Sequence, residues 1–398
     1  MPKSHPSAPT DTDDRRIALV LQGGGALGSY QAGVYEALHE GGYRPDWVAG
    51  ISIGAINAAI IAGNAPKHRV DRLKTFWDEV TSPTALWPKP AGQTPMERSA
   101  GALGAMLFGQ PGFFAPRSPL SWLSPHPPSS FYDTTALQQT LERLVDFDRI
   151  NAGETRLSVG AVNVRTGRFR NFDSADPKTK IRAEHVMASG ALPPGFPSVE
   201  IDGDPYWDGG LVSNTPLLQV LEHEPRLNSL VFQVDLFQSY GRPPTTLDEA
   251  VEREKDIRFA SRTRTATRVA EQNHNVRAHA QALWAKLPTE MRKLPEAQFL
   301  NEMRSTAQMD IALLIYRPFE PQGSAKDYEF SRGTMRARWE RGQEDARITL
   351  KAAPWRAPFP EERGTRVSDV LHDHFIKTLG EDAARQTPPS RIPPEPAA

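Results

Sequence analysis

The sequence contains no cysteine among its 398 residues. Disulfide bonds and thiolate metal sites are therefore excluded, which fits a reducing compartment. The sequence also lacks any run near the ~20 apolar residues that a membrane-spanning helix requires, and residues 1–16 lack the apolar core of a secretory signal. We therefore expect a cytoplasmic protein, and we expect any membrane contact to be peripheral.

An excess of charge of either sign is missing as well. The 47 lysine and arginine residues nearly balance the 48 aspartate and glutamate residues, which leaves a formal net charge of −1. A nucleic-acid-binding protein, or one that docks on a strongly anionic membrane, would show a basic excess. We therefore expect no nucleic-acid partner. The length accommodates one large α/β domain with an appendage, or two domains.

What the sequence does contain is an alternation of short apolar runs and helical patterns near its beginning. Ile17–Leu21 is a continuous apolar run, which is typical of a buried parallel strand. Apolar residues at helical spacing follow within residues 29–41. Trp47–Gly50 predicts a second strand, and the small residues of 55–62 predict a second helix. This order predicts an α/β fold with a parallel sheet.

Two glycine-rich turns join these elements. The first contains Gly23, Gly24 and Gly25, and because glycine has no Cβ and tolerates positive φ, such a loop lets several backbone N–H groups converge. The second reads Gly-Ile-Ser-Ile-Gly over residues 50–54, a spacing that places the Ser52 hydroxyl on a sharp strand-to-helix turn. Converging donors and an exposed serine are the two parts that acyl transfer needs.

The glycines also fit two rival interpretations. Gly23-x-Gly25-x-x-Gly28 satisfies the dinucleotide-binding fingerprint, but that fingerprint requires an acidic residue at the end of the second strand. Here Asp46 lies before that strand, so the dinucleotide interpretation is disfavoured. A Walker-type phosphate loop is excluded, because no Gly-Lys-Ser/Thr ends the segment.

The proton acceptor for a serine nucleophile is less obvious. None of the ten histidines lies in a glycine-flanked turn, and only His185 lies near another suggestive segment. Asp208, followed by Gly209 and Gly210, could form a simple tight turn, or it could accept the proton of Ser52. An ordinary aspartate has a pKa of ~4, so the proton would move only as the tetrahedral intermediate forms. Such a site depends strongly on its oxyanion donors.

The remaining segments suggest a domain organisation. Residues 1–14 and the proline-rich residues 385–398 are expected to be disordered tails, and 15–242 is expected to form the main domain. Within it, residues 83–131 are rich in Pro, Gly and Ser with scattered large apolar residues. This insertion is either a surface excursion held down by its aromatic residues, or a wall or lid of an apolar pocket.

Residues 243–384 predict a mostly helical extension with one strand near 310–316. Its first helices are expected over 247–272 and 275–285. The first of them contains a group of four arginines, namely Arg258, Arg262, Arg264 and Arg268. This group is either a solvated helical face or a face that docks on an anionic membrane.

Three blocks of the chain, in this order, resemble the patatin-like phospholipase family: residues 23–28 (Gly-Gly-Gly-Ala-Leu-Gly), 50–54 and 208–210 (Asp-Gly-Gly). A fourth block, Ala-Ser-Gly-Ala-Leu-Pro-Pro-Gly-Phe-Pro at 188–197, resembles the segment that precedes the family's Asp-Gly-Gly loop. The resemblance covers roughly residues 15–220. It implies a three-layer α/β/α fold and a serine hydrolase that forms an acyl-enzyme and needs no metal and no cofactor.

The resemblance also implies roles for individual residues. Ser52 is expected to be the nucleophile and Asp208 the proton acceptor. The expected oxyanion hole consists of the amides of Gly23, Gly24 and Gly25, chiefly the last two. The supporting glycines are Gly50 and Gly54 of the elbow, and Gly209 and Gly210 after the aspartate.

The implied substrates are lipid acyl esters, as for a phospholipase A or a lysophospholipase. Three alternatives stay open at this point: a carboxylesterase, a depolymerase of an intracellular storage polyester (polyhydroxyalkanoate), and a non-catalytic module that binds lipid. One residue departs from the family pattern. Many members carry Arg or Lys where this chain has Leu27, which weakens the expectation of a preference for anionic phospholipids.

Overall fold

The computed structural model describes residues 15–83, 94–318, 320–360 and 363–372, without the side chains of 261 and 262. The two predicted tails, and Trp87 of the predicted insertion, lie outside these residues. The strands of the described chain are Arg16–Leu21 (β1), Trp47–Gly50 (β2), Ala115–Pro116 (β3), Tyr132–Asp133 (β4), Arg156–Asn163 (β5), Phe169–Asp173 (β6), Val199–Ile201 (β7), Asp204–Asp208 (β8), Ser229–Asp235 (β9), Met309–Ile315 (β10) and Thr365–Ser368 (β11).

The helices of the same residues follow the strands in alternation over the first half of the chain. They are Ser29–Glu40 (α1), Ile53–Ala62 (α2), Arg69–Val80 (α3), Pro95–Phe108 (α4), Thr135–Leu144 (α5), Phe147–Asn151 (α6), Ala183–Ser189 (α7), Leu217–Leu221 (α8), Leu247–Lys286 (α9), Pro295–Met303 (α10) and Arg332–Ala352 (α11). None of these helices combines the length and the apolar character needed to span a bilayer.

Nine strands form one mixed sheet in the order β11-β10-β9-β1-β2-β5-β8-β7, and β6 also pairs with β5. The strands from β11 to β5 are parallel, whereas β6 and β8 run antiparallel to β5, and β7 runs antiparallel to β8. The carboxyl ends of β1, β2 and β9 therefore meet at one edge of the sheet, where ligand sites of open α/β sheets lie.

The alternation of side chains in β1 separates two apolar cores. Leu19 and Leu21 face a large core that contains α1, α2 and α3, whereas Ala18 and Val20 face a smaller one on the opposite side. The smaller core includes Leu217 of α8, together with Ala270 of α9. Helices thus cover both faces of the sheet, and the predicted three-layer α/β/α fold is confirmed, with a helical C-terminal region.

The C-terminal region contributes to the central sheet as well as to the helical layers. β10 pairs with β9 along its whole length, and β11 extends the sheet further. α11 packs closely against α1, because a Cβ on Gly33 would overlap the carbonyl of Trp339, and a Cβ on Gly342 would overlap that of Tyr30. The division at residue 242 stays a prediction, but the two parts share one sheet.

The helices predicted at the start of this region are helical as expected, but they are continuous with each other. The two helices expected over 247–272 and 275–285 form a single helix, α9, of 40 residues. The polar residues between the predicted helices contain neither proline nor glycine, so the chain has no reason to leave the helix there. The His274 side chain instead packs inward, where its Nε2 lies 3.0 Å from the carbonyl oxygen of Leu221 in α8.

The described part of the insertion combines buried aromatic and exposed apolar residues. Phe113 and Phe114 are buried and contact Phe196 with ring centroids 5.9 and 5.3 Å apart. These contacts hold the segment against the main domain, as one of the two predicted alternatives requires. Leu120 and Leu123, in contrast, are 75% and 82% exposed.

Candidate active site

Ser52 lies at the carboxyl end of β2, directly before α2, in a strained conformation. Its φ is +56°, a value that L-residues adopt only when the surrounding structure imposes it, at a cost of roughly 1–3 kcal/mol. Ser52 is half-buried, whereas its neighbours Ile51 and Ile53 are buried. Ser52 thus occupies the tight turn between β2 and α2.

The two glycines of the elbow are required by close backbone approach. A Cβ on Gly50 would overlap the carbonyl of Gly54, and a Cβ on Gly54 would overlap the carbonyl of Leu21 in β1. Any larger residue at either position would push α2 away from the sheet. The Gly-x-Ser-x-Gly spacing thus reflects how tightly the chain turns around Ser52.

The backbone of Ser52 is fixed from the side of α7. Its N–H donates to both the carbonyl oxygen and the Oγ of Ser189, each at 3.1 Å. Ser189 is fully buried at the end of α7. The segment 188–197, which the sequence singled out without a role for it, therefore holds the serine elbow in place.

Asp208 lies at the end of β8 and is buried beside Ser52. Its Oδ1 accepts a 2.7 Å hydrogen bond from the N–H of Gly210, and the Ser52 side chain lies close enough to the carboxyl to favour its ionised form. Burial raises the pKa of Asp208 to about 7, although the Gly210 N–H and the Ser52 side chain both act in the opposite direction. A carboxyl with this pKa is a much stronger base than an exposed aspartate.

The glycine loop after β1 presents two free amides near this pair. The N–H of Gly23 donates to the carbonyl of Asn214 at 3.1 Å, so it is already used. The N–H groups of Gly24 and Gly25 donate to no atom of the described residues. Gly25 has φ +55°, which permits a sharp turn here. Of the three predicted donors, the last two are the ones available to a ligand.

Asn214, to which the sequence assigned no role, connects the two glycine loops of the site. Its Nδ2 donates to the carbonyl of Gly23 at 3.0 Å, and its backbone carbonyl accepts from the N–H of the same glycine. A Cβ on Gly23 would lie 2.5 Å from the Asn214 Oδ1, and one on Gly210 would lie 2.8 Å from it. The only signal in the sequence was its position six residues after Asp208.

His185 is placed differently from Ser52 and Asp208. It lies in α7 with its Nδ1 accepting from the N–H of Arg182 at 3.0 Å, and its ring packs against Phe172 at 4.7 Å between centroids. Burial lowers the pKa of His185, with a further contribution from Arg182. Its position is explained by helix capping and packing alone.

Residues from distant parts of the chain complete the surroundings. Tyr328 precedes α11, and its pKa is raised to about 12 by burial and by the charges of Asp327, Tyr132 and Asp208. Its phenol therefore lies within electrostatic range of the Asp208 carboxyl and stays a neutral hydrogen-bond donor. Leu27 is fully buried in the larger core, so this position makes no contact with solvent.

Comparison with known proteins identifies the class to which this fold and site belong. The family model for patatin-like phospholipase matches residues 19–221, and a second model, described as patatin phospholipase, matches residues 257–362. The chain therefore belongs to the patatin-like phospholipase family. This confirms the family predicted from the sequence, and the enzyme class that the family defines.

One curated relative shares a short stretch at higher identity. The lysophospholipase nte1 of Aspergillus terreus is 51% identical over 84 residues, and the match covers 18% of this chain and 6% of that protein. The chain therefore matches only a small part of that relative.

Solved structures show weaker similarity. VipD from Legionella pneumophila has a TM-score of 0.37 and 15% identity, and the match covers 85% of this chain and 67% of that one. Human GIVD cytosolic phospholipase A2, in complex with a fluorophosphonate inhibitor, has a TM-score of 0.39 and 10% identity, with 85% and 58% covered.

Proposed function

We propose that this chain is a serine hydrolase that cleaves lipid acyl esters, of the phospholipase A or lysophospholipase type, with Ser52 and Asp208 as a catalytic dyad. The observation that carries the proposal is the position of the Ser52 side chain beside the buried carboxyl of Asp208, next to a loop with two unused amides. Family membership and the lysophospholipase relative support lipid esters as the substrate class.

The reaction begins with attack of the Ser52 Oγ on the ester carbonyl carbon. Asp208 accepts the hydroxyl proton as the new C–O bond forms, and the amides of Gly24 and Gly25 donate to the developing oxyanion. Collapse of the intermediate breaks the ester C–O bond, and the departing alcohol takes the proton from Asp208. Water then attacks the acyl-enzyme with Asp208 again as base, which releases the fatty acid and restores Ser52.

The raised pKa of Asp208 makes a dyad without histidine chemically reasonable. Proton transfer is most effective when the base has a pKa near the working pH, and burial brings that of Asp208 to about 7. The carboxyl therefore ionises near neutrality and still binds a proton strongly enough to return it to the leaving alcohol. We infer that the burial of Asp208 serves this purpose.

A fluorophosphonate probe tests the proposal directly. The reagent should modify the wild-type protein once, and peptide mass analysis should place the modification on Ser52. Turnover of lysophosphatidylcholine, diacylphosphatidylcholine and a short-chain p-nitrophenyl ester should then be compared. Absence of labelling would contradict the proposed hydrolase function and favour a lipid-binding module. Turnover of the short-chain ester alone would favour a carboxylesterase.

We further propose that the insertion contacts the surface of a lipid aggregate. Residues 99–132 contain a single Asp, Glu, Lys or Arg residue, which is Arg117. Several large apolar side chains of this region are exposed, among them Leu103, Leu107, Leu120, Leu123 and Phe131. The region also contacts the segment 188–197, which holds the serine elbow, since the N–H of Phe131 donates to the carbonyl of Pro194 at 3.0 Å. An uncharged apolar rim fits neutral or zwitterionic lipid.

Replacing Leu120 and Leu123 with serine should weaken binding to phosphatidylcholine vesicles by about 10-fold or more, because each leucine contributes up to ~1.5–3 kcal/mol when buried in an apolar phase. Co-sedimentation measures the binding. Turnover of a monomeric short-chain ester should stay unchanged, since both side chains lie at the surface.

Leu283→Ser provides the matched control, because this leucine is also exposed but lies on α9, outside the insertion. It should bind vesicles like the wild type. If vesicle binding required anionic lipid and did not change when Leu120 and Leu123 were replaced, the insertion would not be the lipid-contacting surface. That result would favour the arginine group of α9 instead.

A further inference from the structure

The glycine loop of the site rests on a turn from the C-terminal region. This turn, Lys326–Tyr328, lies between β10 and α11 in the sequence. A Cβ on Gly25 would overlap the backbone carbonyl of Asp327, so the two backbones are in direct contact. Gly24 packs on the other side against Leu236, since its Cβ would lie 2.7 Å from the Leu236 Cδ1. The position of the two free amides therefore depends on where the turn is held.

A buried ion cluster holds the turn. Lys326 is 3% exposed, and its Nζ lies 2.6 Å from the Oδ1 of Asp256 and 3.1 Å from the Oε1 of Glu252, both on α9. Glu252 also accepts the N–H groups of Gln322 and Gly323 at 3.2 and 2.9 Å. Buried charges persist only when they are paired and hydrogen-bonded, as these are.

Two further cations hold the carbonyl groups of the same segment. Arg338 of α11 is 2% exposed and donates to the carbonyls of Lys326 and Glu329 at 3.0 and 3.2 Å. Lys255 of α9 donates to the carbonyl of Ser324 at 2.8 Å and pairs with the Asp327 carboxylate at 2.7 Å. The turn is thus fixed by α9 on one side and by α11 on the other.

We propose that Lys326 is a positioning residue for the oxyanion hole: anchored on Glu252 and Asp256, it presses the backbone of the 326–328 turn against Gly25 and so sets the direction of the Gly24 and Gly25 amides. The proposal rests on the proposed function. It gives the C-terminal region a part in the chemistry, because a donor that is displaced by about 1 Å can lower a rate by ~10²-fold.

Lys326→Met keeps the length of the side chain and removes the ammonium. We expect kcat for a lipid ester to fall about 10- to 100-fold, with KM within about twofold, because the oxyanion forms only after the substrate is bound. The rate of fluorophosphonate labelling should fall by the same factor. Rates are expressed per folded molecule, so a loss of stability alone does not change them.

Arg366→Met is the matched control. Like Lys326→Met, this change removes a cation that pairs with a buried carboxylate, because Arg366 lies 2.5 Å from Asp310. This pair, however, lies at the amino-terminal edge of the sheet. Arg366→Met should lower the melting temperature without changing kcat. Asp256→Asn, which keeps an oxygen acceptor for Lys326, should retain kcat within about twofold.

If Lys326→Met does not fold, Lys326→Met combined with Asp256→Leu replaces it, because the second change removes the carboxylate left unpaired; the same loss of kcat is expected. If a folded variant that carries Lys326→Met reacted at the wild-type rate, the proposed role of Lys326 would be wrong, and the proposed hydrolase function would be unaffected. Absence of labelling and turnover in the wild type would instead overturn the proposed function, and this role with it.

Discussion

Ser52→Ala should lower the turnover of every ester substrate by about 10⁴-fold or more, since removal of a nucleophile leaves only the binding and oxyanion contributions. The variant should also resist the fluorophosphonate, which intact-mass measurement detects. The fold should be preserved. Alanine can occupy the strained φ of +56° at much the same cost as serine, and the backbone N–H keeps its bonds to Ser189.

Ser189→Ala is a suitable control, because it removes a neighbouring hydroxyl that accepts the backbone N–H of Ser52. The Ser189 carbonyl still accepts the Ser52 N–H in this variant, so we expect a fall in turnover of about 10-fold or less, the effect of losing one neutral hydrogen bond. Substantial turnover in Ser52→Ala would mean that another residue is the nucleophile.

The serine elbow could be predicted because its chemistry is local. Gly50 and Gly54 are needed where a Cβ would strike the backbone, and such a need shows in the sequence as glycine at fixed spacing. The strand before it, Trp47–Gly50, was predicted with the bounds that the structure has. It is short, apolar and buried on both faces, so no distant contact was required to recognise it.

The contacts between distant segments could not be predicted in this way. Asn214 contacts Gly23 and Gly210, which are 187 residues apart in the chain, and an asparagine before a helix has many ordinary explanations. Lys326 lies in a stretch with no motif, and its partners are 70 and 74 residues away on α9. A single sequence carries no signal for such pairs, because each residue alone is typical of a solvated surface.

Asp208→Asn is expected to lower kcat/KM by about 10³- to 10⁴-fold near pH 8, because the amide keeps the shape of the side chain but cannot accept a proton. In the wild type, kcat/KM should rise with pH up to a plateau, with an apparent pKa near the value of about 7 that burial gives Asp208. A pH–rate profile between pH 5 and 9 measures this.

His185→Ala is the control, and it should retain turnover per folded molecule. If this variant were inactive instead, His185 and not Asp208 would be the base.

Asp208→Asn should also make the protein more stable at alkaline pH. Because burial raises the Asp208 pKa above its unfolded value of ~4, the folded state binds the proton more tightly, and the free energy of unfolding declines as pH rises through this interval to about 7. Asn cannot ionise, so Asp208→Asn should gain up to ~4 kcal/mol at pH 8 and little at pH 4, as measured by urea unfolding. The buried Asp235, with a pKa also near 7, contributes equally to both proteins. If the wild type and Asp208→Asn were equally stable at pH 8, Asp208 would not be desolvated as described. A variant that is less active but more stable than the wild type is the result expected when a carboxyl is buried for catalysis.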